Sequence, residues 1–303
     1  MKQYLLVLFY VIPSIVIGQK NNLFEYPDSL NKKRRNVVVL SESIGSISTL
    51  VLLNEVWYKN YSTGKFHFFN DAKEWLQVDK VGHAMTSYYV GIAGIEALKW
   101  SGVKKTNASI WGGSLGLFYL TGVELLDGYS NNWGFSGYDM LANASGTFLA
   151  VGQNLAWEEQ RVKLKFSGHL TDYAAYRPNL LGSTFSERML KDYNGQTYWL
   201  SVNIKDFFNE KSKFPSWLNV AIGYGAEEMI SGNVDAEWCL SNPICEDFNR
   251  YRQFYISLDA DLSKIQYKRK IFKLLFGSFG FIKFPAPTIE FNKHGVKGHL
   301  FYF

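Results

Sequence analysis

Three pairs of polar side chains, set into apolar and glycine-rich runs between Asp79 and Gly146, constrain this fold more than any other feature. They lie in the strings DKVGH, ELLDG and SGYDMLANASG, where Asp79 and His83 stand four apart, Glu124 and Asp127 three apart, and Asp139 and Asn143 four apart. At those spacings each pair shares one face of a helix. Burying ionisable groups on apolar helices is costly, so the favourable arrangement turns the polar faces toward one another and closes a polar pocket inside a helix bundle. The expected pocket residues are Asp79, Lys80, His83, Glu124, Asp127, Ser136, Asp139 and Asn143, with Asp79, Lys80 and Ser136 at its mouth.

Upstream, Lys2 followed by the apolar run Tyr4 to Ile17 reads as an export signal, residues 1–18, with the mature chain beginning near Gln19. Residues 19–36 are polar, include the cluster Lys32 to Arg35, and read as a linker. A charge of +5 with no long basic run argues against nucleic acid as a partner. Hydrophobic residues make up 47% of the 303 positions, enough for a large buried core or for contact with lipid.

Residues 37–159 then read as a helical domain of four helices. Val37 to Trp57 is the first apolar stretch, and the aromatic string Phe66 to Trp75 leads to runs at Val81 to Trp100, Ala108 to Leu126 and Tyr138 to Trp157. Each run has about the length that crosses a bilayer, roughly 20 residues. Ala142, Gly146 and Ala150, four apart, are the small residues that let helix backbones approach closely in membrane bundles. The expectation is a membrane-type bundle, with clustered aromatics at the interface.

After Glu159 the period changes from helical to alternating. Strand-like alternation occurs at Arg161 to Phe166, Thr197 to Lys205, Leu218 to Tyr224 and Gln253 to Leu262, and again at Ile271 to Phe284 and Val296 to Phe303. Pro285 and Pro287 mark a break or an edge strand. The fold class is therefore α+β, with residues 160–303 forming an antiparallel β-sheet or small β-barrel that has one greasy and one polar face. The greasy face needs cover from a core or from lipid. The aromatic end at Phe303 resembles outer-membrane barrels, although simple alternation puts Lys297 and His299 on the face of Phe301.

Local roles account for some of the polar residues. Asp79 suits a helix N-cap, and Asp127-Gly128 a helix stop. Ser136 and Asp139 fit a capping pattern in which the acid reaches back. Asn143 has no such local role and calls for a specific partner. His83, Glu124 and Asp139 are the candidate metal ligands or proton carriers, and no catalytic residue or cofactor is assigned. Cys239 and Cys245, in WCLSNPIC, are placed to form a disulfide in an exported chain. The chain has no G-x-S-x-G elbow, H-E-x-x-H helix or phosphate-binding loop.

The order Asp79-Lys80, Gly82-His83, Glu124, Asp127-Gly128, then Ser136, Asp139, Asn143 and Gly146 resembles the VanZ-like membrane proteins. It is closer still to a group of uncharacterised bacterial envelope proteins typified by a predicted periplasmic lipoprotein (YfiM-like). The chain departs from that type in having no cysteine near the candidate cleavage site, and the resemblance does not reach the β domain. It implies a cell-envelope location. The barrel-like sheet narrows this to the outer membrane facing the periplasm, and the apolar surfaces of helices and sheet give membrane lipid as the expected partner. The first functional expectation is a polar pocket that binds a lipid headgroup or another small polar ligand. The alternatives are a metal-assisted or acid–base hydrolase of envelope lipids and a non-catalytic envelope scaffold.

Overall fold

The computed structural model describes residues 25–55, 63–208, 211–265, 276–277 and 279–302. The expected signal peptide, residues 1–18, lies outside the described residues. The chain divides into two compact units: a helical unit of the described residues up to Ala72 together with Gly82–Gln160, and a sheet unit of Lys73–Val81 together with the residues from Arg161 onward.

In the helical unit, α1 (Lys32–Leu53) starts inside the segment expected to be a linker. The Asn31 side chain accepts a hydrogen bond from the Arg34 amide at 3.0 Å and caps it, so Lys32 to Arg35 form its first turn. Arg34 donates to the carbonyls of Glu25 and Trp100 and lies over the Trp100 ring, which ties that turn to the end of the next helix. α2 (Val78–Trp100), α3 (Leu115–Gly128) and α4 (Gly137–Trp157) follow. A short turn, Lys105–Asn107, and a π-helix, Ala108–Gly112, precede α3.

Glycines set how closely these helices approach. A Cβ on Gly146 would lie 1.9 Å from the Ala84 carbonyl oxygen, and one on Gly116 2.1 Å from that of Ser87. α4 and α3 thus both press backbone to backbone on α2, one residue and one turn beyond His83. Ser87 and Thr147 hydrogen-bond at 2.8 Å across the α2 and α4 contact. Among the described residues, only α1 is long and apolar enough to cross a membrane; the runs expected to do so at α2, α3 and α4 do not meet that test. At 14 residues α3 is about 21 Å long, short of a hydrocarbon core of roughly 30 Å.

The sheet unit carries six antiparallel strands in sequence order: β1 (Val162–Gly168), β2 (Gln196–Asn203), β3 (Leu218–Glu227), β4 (Tyr251–Ala260), β5 (Ala286–Asn292) and β6 (Gly295–Tyr302). The small barrel is corrected to an open sheet, because among the described residues its edge strands β1 and β6 do not pair with each other. The outer edge of β1 instead exchanges backbone hydrogen bonds with Phe281 and Lys283. The expected strand at 271–284 is replaced, in its described part, by turns and that single bridge. β5 begins at Ala286 and accommodates Pro287, a residue that cannot donate to a ladder.

The expected count of four helices is also corrected. Besides α1 to α4 and the turn at Lys105, short helices occur at Pro178–Leu181, Phe185–Lys191 and Glu237–Leu240. Thr184 and Glu187 close a capping box on the second of these. Cys239 and Cys245 are bonded to each other, at the end of the third and in the turn after it.

The polarity of the sheet is inverted relative to a soluble core. Ser201, Asn203, Asn219, Gln253, Ser257, Asp259, Thr288 and Glu290 are buried, while Leu200, Val220, Ile222, Phe254, Ile256, Leu258, Ile289 and Phe291 are exposed. The strand period is kept, but the greasy face points outward. On the inner side Lys165 pairs with Asp259 at 2.6 Å, and Ser201 donates to the same carboxylate. Lys283 donates to the carbonyls of Leu258 and Phe284 and lies over the Trp199 ring. His299 meets Glu290 at 2.7 Å, which also accepts from Gln253. A bulge between Ala286 and Thr288 resets the register against β6. His299 and Tyr302 therefore both turn inward, and Phe301 is exposed rather than sharing a face with His299.

Candidate functional site

Four of the expected residues converge in the helical unit. α2 presents His83, α3 presents Glu124 near its C-terminal end, and α4 presents Asp139 and Asn143 from its first two turns. His83 Nδ1 donates to Asn143 Oδ1 at 3.2 Å, which is the specific partner that an amide in this position requires. The same nitrogen is 3.7 Å from Glu124 Oε1, and His83 Nε2 is 4.0 Å from Asp139 Oδ1. The imidazole thus stands between two carboxyl groups. Glu124 is 1% exposed and Asn143 is fully buried, whereas the His83 side chain keeps 24% of its surface. Solvent reaches the cluster along the histidine.

Ser136 builds the entrance of α4. Its Oγ accepts from the Asp139 amide at 3.0 Å, as an N-cap should. The second half of the expected capping pattern is corrected: the Ser136 amide donates to Glu124 Oε2 at 3.1 Å, a carboxylate from the neighbouring helix. Ser136 Oγ in turn donates to Asp71 Oδ1 at 2.5 Å. Asp71 is buried beside the site. Its neighbour Asn70 accepts from the Ala72 amide, and the 3-10 turn Glu74–Gln77 that follows has no side-chain cap among the described residues.

The carboxyl of Glu124 is pushed up to about 8, first by burial and next by the charge of Asp139, with Asp127 and Asp71 adding to it against the Ser136 amide. Asp127 therefore acts on the site through its charge. Burial thus favours the protonated form of Glu124, whose Oε1 has no hydrogen-bond partner among the described residues. Asn143 Nδ2 is in the same condition. Asp79 and Lys80 fall in the sheet unit, where they pair with each other at 2.9 Å. One ligand atom each from His83, Glu124 and Asp139 lies within 4.8 Å of the others, so these three side chains could hold a metal ion.

Sequence reasoning missed the polar interior of the sheet, including Lys165, Asp259, Lys283 and the Glu290–His299 pair. The available signal was the burial direction of an alternating strand, which alternation alone leaves open.

Residues 67–154 match a family model described as Predicted periplasmic lipoprotein (DUF2279). That span contains α2, α3, all but the last three residues of α4 and all eight expected pocket residues, and it ends before the sheet. The match is consistent with a bacterial envelope protein. No curated protein and no solved structure matches the chain.

Proposed function

We propose that this chain is a membrane-bound protein of the bacterial envelope, seated in the outer membrane on its periplasmic side, whose His83–Glu124–Asp139–Asn143 cluster binds a small polar ligand. The observation that carries the membrane part is the inverted sheet. A mainly polar interior, with an aromatic cluster of Trp199, Tyr255 and Tyr302 within it, behind an apolar exterior is the alternation that lipid-facing strands show in membrane barrels, although this sheet is open. The helices add to it with exposed apolar side chains seven residues apart, Phe118 and Leu125 in α3 with Trp111 in the π-helix before it, and Leu141, Phe148 and Leu155 in α4. Phe68, 76% exposed, and its neighbours Phe66 and Phe69 suit the headgroup level. Isolated exposed apolar residues are ordinary, but contiguous faces of this size mark an interaction surface. The likeness of the Asp79 to Gly146 motif to VanZ-like and YfiM-like proteins belongs to the same proposal.

Fractionation tests it. The protein is expected in the outer membrane and in the pellet after carbonate extraction; recovery from the soluble periplasm without detergent overturns the reading. A second reading, acid–base hydrolysis of envelope lipids, is favoured by one feature: the raised Glu124 carboxyl, next to a histidine, suits a general acid at neutral pH. Lipid turnover that the purified protein sustains and the folded Glu124→Gln variant loses would favour it over binding alone.

A further inference from the structure

We propose that the helical unit binds one divalent first-row transition cation through His83, Glu124 and Asp139. The inference rests on the reading of this cluster as a ligand site and names the class of its ligand. Three observations carry it. One ligand atom from each residue already lies within 4.8 Å of the other two, and each comes from a different helix. Bond lengths of about 2.0–2.2 Å to nitrogen and oxygen require the side chains to close by roughly an ångström.

The second observation is Glu124 itself. Its Oε2 is fixed by the Ser136 amide, while Oε1 is buried, has no hydrogen-bond partner among the described residues, and lies 3.7 Å from His83 Nδ1, so that to share a cation with Nε2 it must swing along the ring edge. A buried acceptor left in that state is costly unless something fills its place, and a cation would. The third is the support behind the histidine. Asn143 Oδ1 accepts the Nδ1 hydrogen at 3.2 Å, which leaves the Nε2 lone pair on the side of Asp139. Metal-binding histidines are oriented in this way by a partner on the other ring nitrogen. An imidazole with two carboxylates suits zinc or manganese, whereas magnesium and calcium favour all-oxygen sets.

The test uses the full chain in detergent after chelator treatment, titrated with Zn²⁺, Mn²⁺ and Mg²⁺ by calorimetry, with the thermal shift measured in parallel. One Zn²⁺ or Mn²⁺ per chain is expected, with Mg²⁺ far weaker. Glu124→Gln, which keeps the acceptor for the Ser136 amide, and His83→Gln are each expected to weaken binding by about a hundredfold or more and to abolish the metal-dependent thermal shift. Folded variants that bind as the wild type does overturn the proposal. A wild type that binds neither Zn²⁺ nor Mn²⁺ also overturns it, and complementation of a deletion strain then decides the underlying reading. Folded variants that fail to complement leave a non-metal ligand site standing, and folded variants that complement remove the site altogether.

Discussion

Glu124→Gln should change the pH dependence of stability more than stability itself. Folding raises this carboxyl from its ordinary 4.5 to about 8, chiefly by burial. Between those values the native state holds a proton that the unfolded chain has released, so the native state loses stability as pH rises. The contribution of Glu124 is fully present below pH 4.5 and is lost on the way through pH 8. At about 1.4 kcal/mol per unit the ceiling is roughly 5 kcal/mol across that window. The amide that replaces the carboxyl has no proton to lose. The assay is thermal unfolding by circular dichroism, in detergent with excess chelator, from pH 5 to pH 9. The wild-type curve should fall relative to the variant curve as pH rises, with the two closest at the acid end. Parallel curves, or a wild type that gains on the variant toward alkaline pH, would refute the reasoning.

Gly146→Ala places a Cβ 1.9 Å from the Ala84 carbonyl oxygen. It should cost about 1–3 kcal/mol and lower the melting temperature. Gly152→Ala, whose Cβ would meet only Phe148 at 4.0 Å, should be neutral or slightly stabilising; equal losses at both sites would remove the close-approach argument. Lys165→Met strands Asp259 in the sheet interior and should cost about 3–5 kcal/mol, with much of the loss recovered in Lys165→Met/Asp259→Leu. A double variant no better than the single one would show that the pair is not the source. Ile256→Lys adds a charge to the outer face, opposite Ile222 on β3 and Ile289 on β5, and should reduce the fraction retained by vesicles. Unchanged retention would count against lipid contact there.

The helical half of the fold was largely legible from spacing. His83, Glu124, Asp139 and Asn143 meet because the polar faces sit at helical intervals and because Gly116 and Gly146 let α3 and α4 reach α2 close to the histidine. What stayed hidden was which residue satisfies which. The Ser136 amide goes to Glu124 rather than to Asp139, a tertiary choice that no local capping rule contains. In the sheet, alternation located β1, β2, β3, β4 and β6, but Pro287 concealed β5. The direction in which the strands turn was equally hidden, since a period of two is the same whichever face is buried. The bulge between His299 and Tyr302 illustrates the limit: one extra residue there moves Tyr302 to the inner face and leaves Phe301 exposed.

Spin labels placed one at a time at positions 253 to 258 of β4, in protein reconstituted into vesicles, test the central claim most directly. The account predicts a two-residue alternation. Labels at Phe254, Ile256 and Leu258 should be relaxed by molecular oxygen and shielded from a water-soluble nickel complex, while labels at Gln253, Tyr255 and Ser257 should show low collision rates with both. Strong relaxation of the Phe254, Ile256 and Leu258 labels by the nickel complex would contradict it, because the greasy face would then be in water.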